Sequence, residues 1–212
     1  MPFRPENLIR ANRDQVASEK DSFTIERYRQ FAKYLQQTTQ RILDIGGGVG
    51  EGGRELKRLQ PGLSLVGLDC VPERVEAMDS VVYAERVCAF ADNLPFPDGS
   101  FDAIVAGEFI EHVPGASVDA TLHEFFRVLR LRGTLLLTTP NPYYLRNKLQ
   151  GLSVIKDPAH VSQHYPETLE LRLKMAGFSH IWIKGSGKVT RYLGEIWPLR
   201  IYGSFLCSAL KW

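Results

Sequence analysis

Apolar residues gather in short, nearly continuous runs separated by longer amphipathic stretches. RILDIGG (41–47), LSLVGLD (63–69), FDAIVAG (101–107) and GTLLLTTP (133–140) are bounded by turn residues and show no polar alternation. That is the pattern of strands buried on both faces. A further run at Val87–Phe90 predicts a strand, and HIWIKG (180–185) and IYGSFLCSAL (201–210) predict two closing strands. Between them lie predicted helices. Residues 22–38 carry Phe23, Tyr28, Phe31, Tyr34 and Leu35 at helical spacing. A glycine-rich turn feeds a helix ending near Gln60, and 71–80, 118–130 and 166–178 continue the series, the last with Gly177 as its C-cap. Strands alternating with helices define an α/β fold. The expected architecture is one doubly wound, mostly parallel seven-stranded sheet with helices on both faces and an antiparallel closing hairpin. Ligands of such sheets bind beyond the carboxyl ends of the strands. The loops expected to carry chemistry are therefore 46–53, 69–72, 91–99, 106–116 and 139–165.

Composition narrows the function classes. The 212 residues are 44% hydrophobic and 24% charged, enough apolar content for a core without disulfide staples. A net charge of +2 is too balanced for a dedicated nucleic-acid binder. Locally the balance shifts: 41–100 holds 6 basic and 10 acidic residues, whereas 181–212 holds 5 basic and 1 acidic. The basic tail is expected to be an edge hairpin with solvated lysines. Cys70, Cys88 and Cys207 have no metal-binding spacing, which points to a reduced, cytoplasmic setting. Neither a signal peptide nor a membrane span is expected. A homodimer through the N-terminal helix or the closing hairpin is compatible with the pattern.

The first strand runs straight into Leu43-Asp44-Ile45-Gly46-Gly47-Gly48-Val49-Gly50. Glycines let backbone approach a ligand closely, and the helix behind offers free amides. Gly48-x-Gly50-x-x-Gly53 also fits a dinucleotide fingerprint, a weak signal by itself. Asp44 tells against it, because a carboxylate there repels a pyrophosphate and attracts a ligand with a cationic amino-acid end.

Asp44-x-Gly46-x-Gly48-x-Gly50 resembles motif I of the class I S-adenosylmethionine (SAM)-dependent methyltransferases. Three further pieces follow in order. Asp69, with Cys70 beside it, ends the second strand where the family holds the ribose hydroxyls. Ala91-Asp92-Asn93-Leu94 is similar to the adenine-contacting segment, and Phe96–Asp102 to the entry into strand four. The resemblance covers about 40–180 and implies SAM as cofactor, with Asp44, Gly46, Gly48, Gly50, Asp69, Cys70, Asp92, Asn93, Leu94 and Glu108 at its site. It divides the single domain, 1–212, into an N-terminal helical lid (1–39), a SAM-binding core (40–138), a substrate-loop insertion (139–165), and a C-terminal helix with closing strands (166–212).

After strand four, Glu108-Phe109-Ile110-Glu111-His112 puts two carboxylates and an imidazole within one turn. The insertion adds His160 and His164. This E-x-x-E-H turn is similar to two metal-dependent branches of the superfamily, the small-RNA 2′-O-methyltransferases and the ubiquinone-pathway O-methyltransferases. The likeness implies Glu108, Glu111, His112 and His160 as ligands of a divalent cation such as Mg²⁺, which would lower a hydroxyl's pKa. Without a metal, His112, His160 or His164 is the general-base candidate. Tyr143, Tyr144, Arg146 and Lys148 are candidate acceptor contacts, the two cations for a phosphate or nucleotide. The tail resembles the closing hairpin of methyltransferases from glycan pathways. The expected function is methyl transfer to a hydroxyl of a small acceptor, a glycan, nucleotide sugar or secondary metabolite, and not a nucleic acid. The alternatives are a carbon or nitrogen acceptor, a non-catalytic SAM-binding module, and an NAD-dependent dehydrogenase.

Overall fold

In the computed structural model, which describes residues 5–14, 22–157 and 159–212, the sheet is built outward from its buried centre. The elements in chain order are α1 (Pro5–Asp14), α2 (Ser22–Tyr34), β1 (Arg41–Ile45), α3 (Glu51–Leu59), β2 (Ser64–Asp69), α4 (Pro72–Ala77), β3 (Tyr83–Cys88), β4 (Phe101–Gly107), α5 (Val118–Val128), β5 (Leu129–Pro140), α6 (Leu145–Leu149), α7 (Pro166–Met175), β6 (Ser179–Ser186), α8 (Thr190–Leu193) and β7 (Ser204–Leu210). Single 3-10 turns lie at Ile110–His112, Val154–Lys156 and Leu199–Ile201. The strand order is β3-β2-β1-β4-β5-β7-β6. The first five strands pair in parallel, and β7 runs antiparallel to both β5 and β6. The order reverses between β1 and β4, which is where a doubly wound sheet opens a ligand crevice.

Alternate residues of each central strand face opposite cores. On β1, Leu43 and Ile45 join α5 and α7 residues such as Leu122 and Leu169, while Ile42 joins Phe31 of α2 and Leu56 of α3. Both faces are thus dry, and that is why these strands read as unbroken apolar runs.

Departures from the expected elements have local causes. Edge strand β3 has only β2 as neighbour, so it tolerates exposed Glu85 and Arg86 and begins four residues before the apolar run. Helix α5 stops at Val128 and passes without a loop into β5, whose Arg132 takes φ +65°. Helix α2 ends at Tyr34 rather than 38, and α1, α6 and α8 were not foreseen. Nor is Lys184 solvated on its edge strand. Its ammonium lies 4.6 Å from the centre of the Tyr34 ring and 4.7 Å from that of Trp182, and donates to the Tyr34 hydroxyl at 2.8 Å.

Tyrosines from α2 and β3 occupy the space left by glycines in α3. A Cβ on Gly52 would stand 2.3 Å from the Tyr28 ring, and one on Gly53 would stand 2.3 Å from the Tyr83 hydroxyl. Gly52→Ala gains helix propensity of about 1 kcal/mol. It is nonetheless expected to destabilise the fold by about 1–3 kcal/mol through overpacking. Urea unfolding checks this, and an unchanged midpoint would show that Tyr28 can move aside freely.

Candidate active site

A cavity of about 1130 Å³ opens at the carboxyl ends of β1, β2, β4 and β5. Its floor is the glycine loop. Gly46 and Gly48 adopt φ +67° and +56°, conformations that side chains rarely take. The Gly46 amide donates to the Leu68 carbonyl at 2.8 Å, and a Cβ there would lie 2.8 Å from the Phe109 ring. Gly50 starts α3 with φ +98° and lies behind the floor. The cavity is therefore shaped for a ligand laid directly against backbone.

Asp44 is not part of the cavity wall, contrary to the sequence reading. It shares the β1 face of Ile42, so it points away from the mouth into the α2–α3 core and is fully buried. There it accepts the Tyr28 hydroxyl at 2.5 Å and the Tyr83 hydroxyl at 2.6 Å. Burial lifts its carboxyl to about 6, against the pull of the two phenol donors. Unfolded, the same group titrates near the ordinary aspartate value of 3.8. Between these values the folded chain binds the extra proton. The stabilisation is full below the unfolded pKa and is lost as pH rises through about 6. The span corresponds to about 3 kcal/mol. Stability curves of the wild type and Asp44→Asn should therefore diverge between these pH values and run parallel above them.

Asp69 and Cys70 line the cavity. Asp69 accepts the Val71 amide at 2.9 Å and has the Arg74 guanidinium 3.8 Å away, while burial raises its pKa. Arg74 also donates to the Asn12 carbonyl, which ties α1 over this end of the cavity. Burial, with Asp69 beside it, pushes the Cys70 thiol up to about 12, so it stays protonated and packs rather than reacts. Asp92 lines the cavity, but Asn93 and Leu94 do not. Leu94 is buried, and its amide donates to Glu124 at 2.7 Å. Its carbonyl accepts Arg127. Asn93 is exposed, its amide directed to the Phe90 carbonyl.

The turn after β4 supplies the polar wall. Glu108 adopts φ +51°, and its amide donates to the Thr138 carbonyl at 3.0 Å. Its Oε2 accepts Ser204 at 3.1 Å, and its Oε1 lies 3.6 Å from Arg27. Glu111 is fully buried. Its Oε2 accepts Thr139 at 2.9 Å, while its Oε1 has no hydrogen-bond partner. Burial first, then nearby Glu108, drive the Glu111 carboxyl well above the carboxylate range.

His112 and His160 stand with ring centres 5.0 Å apart. His112 Nδ1 is 2.9 Å from the Ala159 carbonyl oxygen, and His160 Nδ1 is 2.7 Å from that of Val154. A carbonyl only accepts, so each Nδ1 carries the ring proton and each Nε2 keeps its lone pair. Burial pushes His112 below the usual imidazole range. Ligand atoms of Glu111, His112 and His160 all fall within 4.8 Å of one another. Glu108 is not in that group.

His164 is placed elsewhere. It is buried outside the cavity lining, its Nε2 2.8 Å from Ser162 Oγ and 3.2 Å from the Ile110 carbonyl. The Val161 and Ser162 amides donate to the Glu111 carbonyl at 2.9 and 3.0 Å. His164 is thus a strut fastening the insertion to the Glu111 turn, not a group within reach of an acceptor. Tyr144 and Arg146 reach the cavity. Tyr143 instead donates to Glu167 at 3.0 Å, and Lys148 lies 5.5 Å from its ring centre. Sequence reasoning missed Arg27, Tyr83 and Thr139. Each meets its partner across the fold, and no local spacing marks it.

The chain belongs to the methyltransferase-domain family, which matches residues 16–181. Its seven-stranded sheet has the fold of solved SAM-dependent methyltransferases. Among curated relatives, it is 27% identical over 179 residues to a malonyl-acyl-carrier protein O-methyltransferase of Laribacter hongkongensis, covering 76% of this chain and 60% of that one. It is 32% identical over 156 residues to the human mitochondrial ubiquinone biosynthesis O-methyltransferase, covering 66% and 41% respectively. The chain therefore spans only part of the length of these relatives. A SAM-dependent methyltransferase from Archaeoglobus fulgidus shares the fold, with a TM-score of 0.70 at 23% identity over 88% of this chain and 92% of the other.

Proposed function

We propose that the chain methylates an oxygen of a small acceptor, using SAM and a divalent cation held by Glu111, His112 and His160. The observation that carries this reading is the trio itself: one orphaned, buried carboxylate oxygen and two imidazole lone pairs, each fixed by a backbone carbonyl behind its ring. Backbone partners of this kind set the tautomer that a metal-ligating histidine needs. The donor set, one oxygen and two nitrogens, suits a borderline or hard divalent ion. Asp157, whose Oδ2 is 4.0 Å from His160 Nε2, stands at its edge.

SAM, when bound, supplies an electrophilic methyl group. The chain's own contribution is positioning and exclusion of water. The glycine loop would back the ligand, Asp69 would offer carboxylate oxygen to its diol, and Asp92 would meet its base. A cation at the trio would lower the acceptor hydroxyl's pKa and orient it. Phe109, Val113 and Tyr144 give the acceptor side an apolar wall, which favours an aromatic ring or acyl chain. Relatives named as O-methyltransferases include ones named for malonyl-acyl-carrier protein, ubiquinone biosynthesis and fatty acid. Glycans and nucleotide sugars are therefore not the acceptors to test first.

Calorimetric titration of Mn²⁺ into S-adenosylhomocysteine-saturated protein tests the proposal, followed by assays with catechols and hydroxylated acyl compounds. Stoichiometric binding that disappears in Glu111→Ala is expected. Failure to bind, with catalysis intact in Glu111→Ala, would leave a metal-free reading. In that reading the Nε2 of His160 or His112 takes the hydroxyl proton, or the acceptor is carbon or nitrogen.

A further inference from the structure

Two exposed apolar segments flank the cavity on one side. The first is α6 and the turn after it, presenting Leu145, Leu149, Leu152 and Ile155. The second runs from α8 to the 199–201 turn, presenting Tyr192, Leu193, Ile196 and Trp197. Leu149, Tyr192 and Ile196 are 78%, 81% and 86% exposed. Single exposed apolar residues are ordinary, but eight on two segments beside one cavity mark an interaction surface. The segments belong together. Arg146 and Asn147 of one and Gly187 and Val189, just before the other, line the same cavity. The Asn141 side-chain amide donates to the Leu199 carbonyl at 2.7 Å and the Tyr202 carbonyl at 2.9 Å, tying the start of the first segment to the end of the second.

The charge on this face is one-sided. Residues 145–156 and 190–200 carry Arg146, Lys148, Lys156, Arg191 and Arg200 and one acid, Glu195; Arg191 is paired with Glu26, and Asp157 follows the first stretch, so Arg146, Lys148, Lys156 and Arg200 carry the excess. Glu195 is turned inward, held by Lys33 at 3.1 Å and by the Tyr34 hydroxyl. A second copy of the chain would set these cations against their own kind. An anionic bilayer surface matches both features: acyl chains take the aliphatic side chains, headgroups take the cations, and Tyr192 and Trp197 have the amphipathic rings favoured at that boundary.

We propose that this face docks the chain peripherally on anionic lipid, with the cavity mouth beside the bilayer. A lipid-borne acceptor would then reach the cavity directly, whichever of its atoms is methylated. The contact is interfacial, since among the described residues no helix is long and apolar enough to cross a membrane.

Co-sedimentation of the full chain with vesicles tests this, using phosphatidylcholine alone and a phosphatidylcholine–phosphatidylglycerol mixture. Binding is expected only to the mixture and should weaken with salt. The double variant Leu149→Asp/Ile196→Asp should lose it, and Arg146→Gln or Arg200→Gln should weaken it roughly fivefold each. Val81→Asp serves as control. Val81 is 87% exposed before β3, at the opposite end of the sheet, and its replacement should leave binding intact. No sedimentation with either vesicle, equal binding to both, or equal loss in the Val81 control overturns the proposal. So does a dimer in solution that Leu149→Asp/Ile196→Asp abolishes, because that would assign the face to a second copy.

Discussion

Glu111→Gln is expected to abolish specific cation binding and lower methyl transfer by at least about 100-fold, with S-adenosylhomocysteine affinity and the unfolding midpoint unchanged. Burial and the nearby Glu108 push the Glu111 carboxyl toward its neutral, protonated form in the ligand-free chain. An amide is the neutral isostere of that state, so the core should not sense the change. Thr139 can still donate to the amide oxygen. The amide nitrogen then points a donor into a place where the proposed site needs an acceptor. Cation uptake by the wild type must displace the proton, so apparent affinity should rise with pH. Calorimetry in two buffers of different ionisation enthalpy reads the released proton directly. An uptake that releases none would mean that the cation sits elsewhere.

Asp44→Ala is expected to produce the largest loss of stability in the chain, about 2–5 kcal/mol, because it strands two buried phenol hydroxyls at once. S-adenosylhomocysteine affinity should fall with it, although Asp44 does not face the cavity. Tyr28 and Tyr83 brace the glycine loop through that carboxylate, and their rings fill the space beside Gly52 and Gly53. Asp44→Asn should cost less, since it keeps one acceptor oxygen. Chemical unfolding combined with a ligand titration separates the two effects. Full affinity in a destabilised Asp44→Ala protein would show that the loop holds its shape without the brace.

The central strands were legible because burial on both faces leaves an unbroken apolar run, and the glycine loop because Gly46 and Gly48 need backbone conformations that other residues resist. Asp69 closes β2, and Asp92 and the Glu111–His112 turn lie in the loops after β3 and β4, so placing those strands placed them. Asp44 was misjudged for a reason of parity: along a strand successive side chains alternate, and only its partners reveal which face it shares. His160 and His164 could not be ranked by spacing. One is fixed by the Val154 carbonyl and turned to the cavity, the other is buried against Ile110, and burial is a property of the whole fold. Helix α1 was missed because PENLIRANRD has few apolar positions, and those that pack, such as Leu8, do so over the cavity rather than into the core.

The fit of Tyr28 and Tyr83 against the glycines of α3 ties together positions far apart in the chain, and this should have left a trace across generations. Gly53 and Gly67 both lie against Tyr83, and Gly52 lies against Tyr28. A lineage that exchanges either tyrosine for a small residue opens a void that a side chain at the matching glycine can fill. These positions are expected to change together among descendants of a common ancestor, whereas Gly46 and Gly48 answer to the ligand and should stay glycine whatever happens to the tyrosines. The glycines of the loop and those of α3 and β2 therefore record two separate histories, one of chemistry and one of packing.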